Sequence, residues 1–453
     1  MKRIVFLAIA VLMLFAIFTG CTDDKKEPDV KDPDVKDNDE PANTEDNGQA
    51  NTGDVTTKLA SISYPKSIAF DDNEAQLEVR EQNAVDESIY SSINEFSAKS
   101  ASVILGDETE NVCYSPLSLY MALAMLSNGA DGETKDEITA ILNESDTDYL
   151  SQQMGNLFRR MYKDNEISRF FMTNSLWMNG NFNVKKEFVD MTTKNFYAAA
   201  NTLDFNDPGA GDIISKWISD NTNELLQPEI NVDPLDLLYI VNTIYLKDEW
   251  QNNFDEDATT QDVFTLADGT EVDAEFMHCK LDYGVVRSEG FTAVSLYLKD
   301  TGKMTFILPD EDKDVNTLLS SPETITAMLN ADFAEDVKVN LSLPKFSFDS
   351  DFDLMQSLKD MGMVKAFDTK EADLTKIIDI DLNAFVSAVK QGTDITVNEN
   401  GLEAAGFTYI AVSLESAPME KETVELNFNR PFVFIIENEN VPVFIGAVQN
   451  PAS

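Results

Sequence analysis

The stretch NVCYSPLSLYMALAMLSNGADGETKDEI, from Asn111 to Ile138, contains a strand pattern followed by helix patterns. Val112–Tyr114 is an apolar triplet of the kind found in buried strands. Ser115 is a favoured helix N-cap, and Pro116 suits the first turn of the helix that follows it. Gly129 suits the end of that helix. The stretch therefore predicts a buried strand that leads directly into an apolar helix.

A second helix is predicted immediately afterwards. Thr134 and Glu137 have the spacing of a capping box, in which a hydroxyl and a carboxylate satisfy backbone N–H groups at the helix start. Cys113 lies within the strand that precedes both helices, so we expect its thiol to be buried.

Strand patterns dominate the C-terminal half of the chain. VKVNLSLPKF places Val337, Val339, Leu341 and Leu343 on alternate positions, and VELNFNRPFVFIIE with VPVFIGAVQN predicts a C-terminal hairpin. DFDLMQSLKDMG predicts a short helix that ends at Gly362. Because helix and strand patterns are mixed, we predict an α+β fold with helices packed around several sheets.

The N-terminus has the pattern of an export signal. Lys2 and Arg3 precede an apolar run too short to span a bilayer comfortably, which fits residues 1–20 as a signal peptide. The closing FTGC resembles a lipobox, so Cys21 is the expected lipidation site and the protein is expected at the cell surface, anchored to the membrane by lipid. The alternative is an ordinary secretory signal and an extracellular protein.

Residues 21–58 are acidic and carry almost no large apolar residues, which predicts a disordered tether. The rest of the chain, 59–453, is apolar in pattern from about Ala84 and shows no second low-complexity break. We therefore predict one large domain and a monomer. The net charge of −47 excludes a nucleic-acid partner, because such a surface repels phosphates.

Neither an active site nor a metal site is predicted. The chain has one histidine, His278, which we expect to be a strand or surface residue, and no phosphate-binding or nucleophile motif. Cys113 and Cys279 are far apart, which excludes a disulfide framework. The acidic runs DEDKD (310–314) and DSDFD (349–353) lack the glycine and glutamate of a calcium loop, and we interpret them as a turn and as helix-capping residues. No enzymatic activity and no cofactor are expected.

Five ordered motifs resemble the serpin family over nearly the whole domain. They are the opening stretch, LYIVNTIYLKDEWQNNF, LSLPKFSFDSDFDLMQSLKDMGMVKAFD, VNENGLEAAGFT and NRPFVFIIENENVPVFIGAVQNP. The resemblance implies a multi-sheet domain with surrounding helices and an exposed reactive loop. It also implies a protease inhibitor, whose loop is cleaved as bait and then inserts into the main sheet as a new strand.

The resemblance assigns roles to individual positions. It implies that the hinge of the reactive loop comprises Glu399, Gly401, Leu402, Glu403, Ala404, Ala405 and Gly406. It implies that the region where the main sheet opens includes Ser115, Ser118, Asn242, Trp250 and Gln391. Gln391 stands where many relatives have histidine, and we expect its amide to hydrogen-bond near Ser115 and Ser118. Leu402 replaces the usual Ser or Thr, and Phe407 lies among normally small residues.

The reactive bond expected from the family's spacing is Glu415–Ser416. Glutamate before the cut implies a serine or cysteine protease that prefers acidic residues. A shift by one residue would present Leu414 to a chymotrypsin- or subtilisin-like protease. The competing function is a non-inhibitory binding or surface protein of the same fold. The inserting face favours the inhibitor because it has neither charge nor proline; it consists of Leu402, Ala404, Gly406, Thr408, Ile410 and Val412.

Overall fold

Three sheets organise the residues that the computed structural model describes, which are 56–282, 284–331, 337–378, 384–402 and 422–453. Within these ranges the α+β architecture is as predicted. The main sheet contains, in spatial order, β1 (Thr56–Ala60), β5 (Ala198–Leu203), β4 (Arg169–Asn179), β6 (Leu238–Glu249), β15 (Gly401–Leu402), β14 (Lys390–Asn398) and β13 (Phe346–Asp353), with β3 (Lys163–Asp164) paired to β4.

Two smaller sheets complete the strands of the described ranges. The second sheet runs β2 (Val112–Tyr114), β18 (Val441–Val448), β17 (Phe432–Asn438), β11 (Lys303–Pro309), β10 (Phe291–Tyr297) and β9 (Val286–Ser288). The third sheet runs β16 (Thr423–Asn427), β12 (Lys338–Pro344), β8 (Glu271–Leu281) and β7 (Thr260–Thr265).

Helices pack around these sheets. Their bounds are α1 (Asn73–Gln82), α2 (Glu87–Leu105), α3 (Pro116–Gly129), α4 (Gly132–Leu142), α5 (Thr147–Met161), α6 (Lys186–Phe196), α7 (Ala210–Asn221), α8 (Val315–Leu319), α9 (Pro322–Leu329) and α10 (Met355–Asp360). In the described ranges, no helix is both long and apolar enough to cross a membrane.

Alternate residues of β6 face opposite sides of the main sheet, as the two-residue period of a strand requires. Leu238, Ile240 and Ile244 pack against the large core that α3 also enters. Tyr239 and Val241 pack against a smaller cluster that includes residues of α7. The main sheet is therefore covered on both faces, and a side chain's position along a strand decides which core it joins.

The strand and helix predicted at the start of the opening stretch are present. Cys113 in β2 is fully buried and unpaired, and burial raises the pKa of its thiol to about 12. Ser115 is the N-cap of α3, since its hydroxyl oxygen accepts a hydrogen bond from the backbone N–H of Ser118 at 3.3 Å. Pro116 and Gly129 are the first and last residues of that helix.

The capping box predicted for the next helix is wrong. α4 begins two residues before Thr134, and Asp131 is its N-cap. The Thr134 hydroxyl instead accepts a hydrogen bond from the backbone N–H of Asp373 at 2.9 Å. Glu137 accepts from the backbone N–H groups of Val364 and Lys365. Both side chains hold a distant segment against α4, which no local spacing reveals.

The predicted C-terminal hairpin consists of β17 and β18, both buried along their whole length. Its turn residues, Glu439 and Asn440, have φ of 52° and 61°, as a two-residue turn that matches strand twist requires. Gly446 lies in β18 where a Cβ atom would be 2.4 Å from the carbonyl oxygen of Val112. The second sheet can pack this closely only because residue 446 has no side chain.

The acidic run 349–353 lies in a strand, so the interpretation of these residues as helix caps is wrong for all but one of them. It belongs to β13, and only Asp353 has a capping role, accepting from the backbone N–H of Met355 at 3.1 Å. The other acidic run forms a turn as interpreted, since the backbone N–H of Lys313 donates to the carbonyl of Asp310 at 2.9 Å, and its last residue, Asp314, is also the N-cap of α8. The alternation predicted for β12 is present, since Val339, Leu341 and Leu343 are all buried.

A strand and a helix lie N-terminal to the point where the sequence pattern predicted the core to begin. β1 begins at Thr56, inside the segment 21–58 expected to be a tether, because Thr56–Ala60 pairs antiparallel with β5. α1 also precedes Ala84, where the core was expected to begin. Gly53–Ser453 forms one compact unit, so the described part of the chain is a single domain.

Candidate functional site

The chain turns back on itself after β14 and continues as β15. The backbone N–H of Asn400 donates to Oδ1 of Asn398 at 2.9 Å, which closes the turn. Gly401 has φ of +152°, and a Cβ atom there would lie 2.2 Å from the carbonyl oxygen of Asp248. Only glycine fits this position. Leu402 is 3% exposed, so the side chain that follows Gly401 faces the core.

β15 is hydrogen-bonded on both sides, although it is only two residues long. Leu402 lies opposite Val397 of β14 and opposite Asp248 of β6, antiparallel to both. In the part of the chain that the structure describes, β6 and β14 pair with β15 and not with each other. The two halves of the main sheet therefore stand one strand apart at the hinge.

A cavity of about 40 Å³ lies beside Leu402 between these two strands. Its walls include Ile244–Leu246 of β6 and Asp394–Thr396 of β14. Leu225 and Leu226, which follow α7, line it as well. We call this space between β6 and β14 the slot. Two strand edges that face each other across such a space can take up an extended segment by backbone hydrogen bonding.

Glu399 fastens the hinge turn to the body of the domain. Its side chain accepts from the Thr259 hydroxyl at 2.8 Å and lies 3.4 Å from Nζ of Lys345. Burial acts to raise the pKa of this carboxyl, but the Thr259 hydrogen bond and the Lys345 charge outweigh it and hold the pKa below its usual value. The carboxylate is consequently ionised at neutral pH and keeps both partners.

Trp250 makes two hydrogen bonds to the same turn. Its indole N–H donates to the carbonyl of Asn398 at 2.9 Å, and its backbone N–H donates to the carbonyl of Asn400 at 2.9 Å. The side chain is 1% exposed. Trp250 therefore holds both ends of the turn and positions the start of β15.

Asp248 is a fully buried carboxyl beside the hinge. Its Oδ2 accepts from the backbone N–H of Thr301 at 2.7 Å, from the Thr301 hydroxyl at 2.8 Å and from the backbone N–H of Asp300 at 3.0 Å. Burial raises the pKa of Asp248 to about 6, although these hydrogen bonds act in the opposite direction. The group ties β6 to the turn between β10 and β11.

Gln391 makes the contact expected of it with Ser115. Its Oε1 accepts from the backbone N–H of Ser115 at 2.8 Å, and its Nε2 donates to the carbonyl of Ser115 at 2.9 Å. The Ser115 hydroxyl donates to the carbonyl of Val443 at 2.7 Å. The backbone N–H of Ser118 donates to the Ser115 hydroxyl and not to Gln391. The glutamine thus joins β14 to the start of α3.

Asn242 lies in β6 on the face of the large core. Its Nδ2 donates to Oδ1 of Asn174 in β4 at 2.6 Å, and Nδ2 of Asn174 donates to the carbonyl of Phe196 at 2.6 Å. Of the residues expected where the main sheet opens, Gln391 bonds Ser115 and Trp250 holds the hinge turn. Ser115, Asn242 and Gln391 do not line the slot.

Three residues of this site were not predicted from the sequence. Thr259 and Lys345 hold Glu399, and Asp248 lines the hinge. Lys345 lies within the motif LSLPKFSF, but its carboxylate partner, Glu399, is distant in the sequence. Only a three-dimensional contact connects them, so no spacing rule would have found the pair.

Several predicted positions lie outside the described residues. They are Cys21, Glu403, Ala404, Ala405, Gly406, Phe407, Leu414, Glu415 and Ser416. The described residues contain no group of three His, Cys, Asp or Glu side chains that could hold a metal ion. Nε2 of His278 in β8 hydrogen-bonds the Thr260 hydroxyl at 2.8 Å.

Comparison with known proteins gives consistent matches. A family model described as Serpin (serine protease inhibitor) matches residues 91–451. A serine protease inhibitor of Mus musculus is 31% identical over 360 residues, which cover 77% of this chain and 85% of the mouse protein. Serpin-ZX of Arabidopsis thaliana is 29% identical over 364 residues, which cover 76% and 93%. The crystal structure of the thermophilic serpin tengpin in the native state has a TM-score of 0.74 and 25% identity, and the match covers 87% of this chain and 99% of tengpin.

Proposed function

Because this chain belongs to the serpin family, whose members are generally protease inhibitors and not enzymes, we propose that it traps a protease with its own reactive loop. The observation that supports the proposal most directly is β15. β15 is two residues long, is paired on both sides and is followed by the slot, which is the arrangement that the first step of a strand insertion would produce. Because Leu402 is buried, its side chain already faces the core, as the apolar side of an inserting strand must.

The reaction begins as ordinary proteolysis. The hydroxyl or thiol of the target attacks the carbonyl carbon of Glu415, and its proton passes to the target's own general base. The bond to Ser416 breaks, and the amine of Ser416 leaves with a proton. Glu415 is then joined to the protease as an ester or thioester, while the chain before it is free to move.

Insertion follows from the hinge. The freed segment extends β15 along the slot and pairs with β6 and β14. About ten new backbone hydrogen bonds at about 1 kcal/mol each would stabilise the inserted form by on the order of 10 kcal/mol. The bound protease moves with the severed end of the loop, and its active site is distorted. Hydrolysis of the acyl bond then stalls, because it depends on donors placed accurately around the oxyanion.

The residue before the cut sets the target class. With Glu415 in that position, the target is a serine or cysteine protease whose pocket is basic. With Leu414 in that position, it is a chymotrypsin- or subtilisin-like protease. The experiment is incubation with a panel that contains both kinds, followed by denaturing electrophoresis and mass spectrometry of the loop.

A band at the summed mass of the protein and one protease supports trapping. Clean cleavage with every protease, at every molar ratio and without such a band, would contradict inhibition. That outcome would favour the alternative, a non-inhibitory binding or surface protein with the serpin fold.

For location, we propose attachment to the outer face of a membrane through lipid on Cys21, which the FTGC pattern supports. Wild-type protein should partition into detergent, and Cys21→Ser should appear in the medium. Wild-type protein that is released with an unmodified Cys21 would contradict the anchor and leave simple secretion.

A further inference from the structure

Another cavity lies between helices on the outside of the domain and has a volume of about 370 Å³. Two helices supply its opposite walls, and on each of them the lining residues have the i, i+3, i+4 spacing that places side chains on one helix face. The lining consists of Lys99, Ser102 and Val103 of α2, Glu137, Ala140 and Ile141 of α4, Pro322 of α9, and Met361 and Gly362 after α10. We call this space the helix crevice. It shares no lining residue with the slot.

Apolar side chains at the helix crevice are open to solvent. Val103 lines it and is 42% exposed, and Ala140 and Ile141 line it from α4. Val364, which is 52% exposed, lies next to it, since its backbone N–H donates to the lining residue Glu137 at 2.8 Å. A single exposed apolar side chain is ordinary in a folded protein, but several around one concavity are typical of a binding site.

The polar side chains of the lining already have partners. Nζ of Lys99 lies 2.7 Å from Oε1 of Glu95, and the Ser102 hydroxyl donates to the carbonyl of Lys99 at 2.8 Å. Oε2 of Glu137 accepts from the backbone N–H groups of residues 364 and 365. A charged ligand would therefore lose hydration here without gaining a free counter-ion. The net charge of −47 disfavours anions further.

We propose that the helix crevice binds a small, uncharged, apolar molecule. Its volume is within the range of small-molecule sites, about 300–1,000 Å³, which are also lined mainly by apolar side chains. A protein partner fits less well, because nine residues line the crevice, whereas a stable protein interface takes about 20–30 residues from each side. This site is separate from the slot, so it does not depend on the proposed trapping of a protease.

The test uses two fluorescent probes of nearly the same shape. Phenylnaphthylamine is uncharged, and anilinonaphthalene sulfonate adds one negative charge to the same ring system. Each is titrated into the full chain carrying Cys21→Ser, so that no detergent competes for the probe. The uncharged probe should bind with a stoichiometry of one, and the sulfonate should bind about tenfold more weakly.

Two variants locate the bound probe. Val103→Asp places a charge in the helix crevice, and Ala140→Trp fills it without adding charge; each should weaken binding of the uncharged probe about tenfold. Val263→Asp is the matched control, because Val263 is 38% exposed in β7 and does not line the crevice. It should retain wild-type affinity. Thermal melting of all three variants checks that they are folded.

Three outcomes would overturn the proposal. The first is equal affinity of the two crevice variants and the Val263→Asp control for the uncharged probe. The second is binding of the sulfonate as tightly as its uncharged counterpart. The third is a concentration-dependent dimer in sedimentation that excludes the probe, which would make a second copy of the chain the occupant. Failure of the protein to trap any protease would leave this inference standing.

Discussion

At the scale of single residues, Gly401 and Leu402 have complementary roles. Gly401 lets the chain pass within contact distance of the Asp248 carbonyl, and Leu402 then enters the core. Neither could exchange position with the other, since a side chain at 401 would collide with β6 and a glycine at 402 would bury nothing. The hinge is thus defined by two adjacent residues with opposite requirements.

Asp248 should give stability an unusual pH dependence. Its pKa is about 6 in the folded protein and near 3.8 otherwise, so the folded state holds an extra proton between these values. The stabilisation is complete below about pH 4 and is lost as pH rises through 6, by up to about 3 kcal/mol. Denaturant unfolding of wild type and Asp248→Asn should show a difference in unfolding free energy that declines over this range. A difference independent of pH would contradict the assignment.

Leu402→Glu should convert the inhibitor into a substrate. The new carboxylate would be buried opposite Asp248 at the first step of insertion, which costs several kcal/mol for an unpaired charge. The number of inhibitor molecules consumed for each protease inactivated should rise severalfold.

Leu402→Met is the matched control, because it keeps the apolar volume and should change that number little. If Leu402→Glu traps its target as efficiently as Leu402→Met does, residue 402 does not enter the core during inhibition.

At the scale of elements, a few side chains join strands and helices that are distant in sequence. Gln391 in β14 bonds both backbone groups of Ser115, and the hydroxyl of Ser115 reaches Val443 in β18. Through these contacts the start of α3 is connected to the main sheet and to the second sheet. Movement of β14 relative to α3 must therefore strain or break the bonds of one glutamine.

Replacement of this glutamine tests the connection. Gln391→Leu leaves the buried N–H of Ser115 without a partner, while the Ser115 carbonyl keeps its hydrogen bond from the Leu119 N–H at 3.3 Å. The substitution should lower the unfolding free energy by about 1–3 kcal/mol. Thr396→Val is a suitable control in the same strand, since its hydroxyl bonds Ser347 on an exposed surface. Equal stability of the two variants in chemical denaturation would show that the Gln391 contacts contribute nothing.

The elements also show what the sequence could predict. Ser115 as N-cap and the alternation of β12 were predictable, because both depend on neighbours in the chain. Thr134 and Glu137 match a local motif as well, yet their bonds go to residues 364, 365 and 373. The Glu399–Lys345 pair escaped prediction for the same reason, since a tertiary contact decides where a polar side chain bonds.

At the scale of the whole molecule, the main sheet is incomplete between β6 and β14 among the described residues. Motif order across the chain predicted the family and the α+β fold, because those motifs extend over the whole domain. The slot itself could not be predicted, since it is formed by strands that are adjacent only after folding.

Completion of the sheet should be measurable as a gain in stability. After a verified nick at Glu415, calorimetry should show a Tm far above that of the intact protein, since insertion adds on the order of 10 kcal/mol of backbone hydrogen bonding. A nick in an exposed loop unrelated to the hinge provides the control. An unchanged or lower Tm after the first nick would identify a relative whose loop does not insert.

In the proposed insertion, the hinge turn at Asn398–Asn400 fixes how far the severed end can travel. One end of the inserting strand is anchored at this turn, so each residue that enters would carry the severed end about 3.4 Å farther, or roughly 40 Å by Glu415. Deleting one residue would shorten this travel by less than a tenth, yet it would turn every later side chain to the opposite face. Insertion should therefore tolerate a change in the distance travelled far better than a change in which side chains face the core. Loops that still work should therefore differ in length by even numbers of residues.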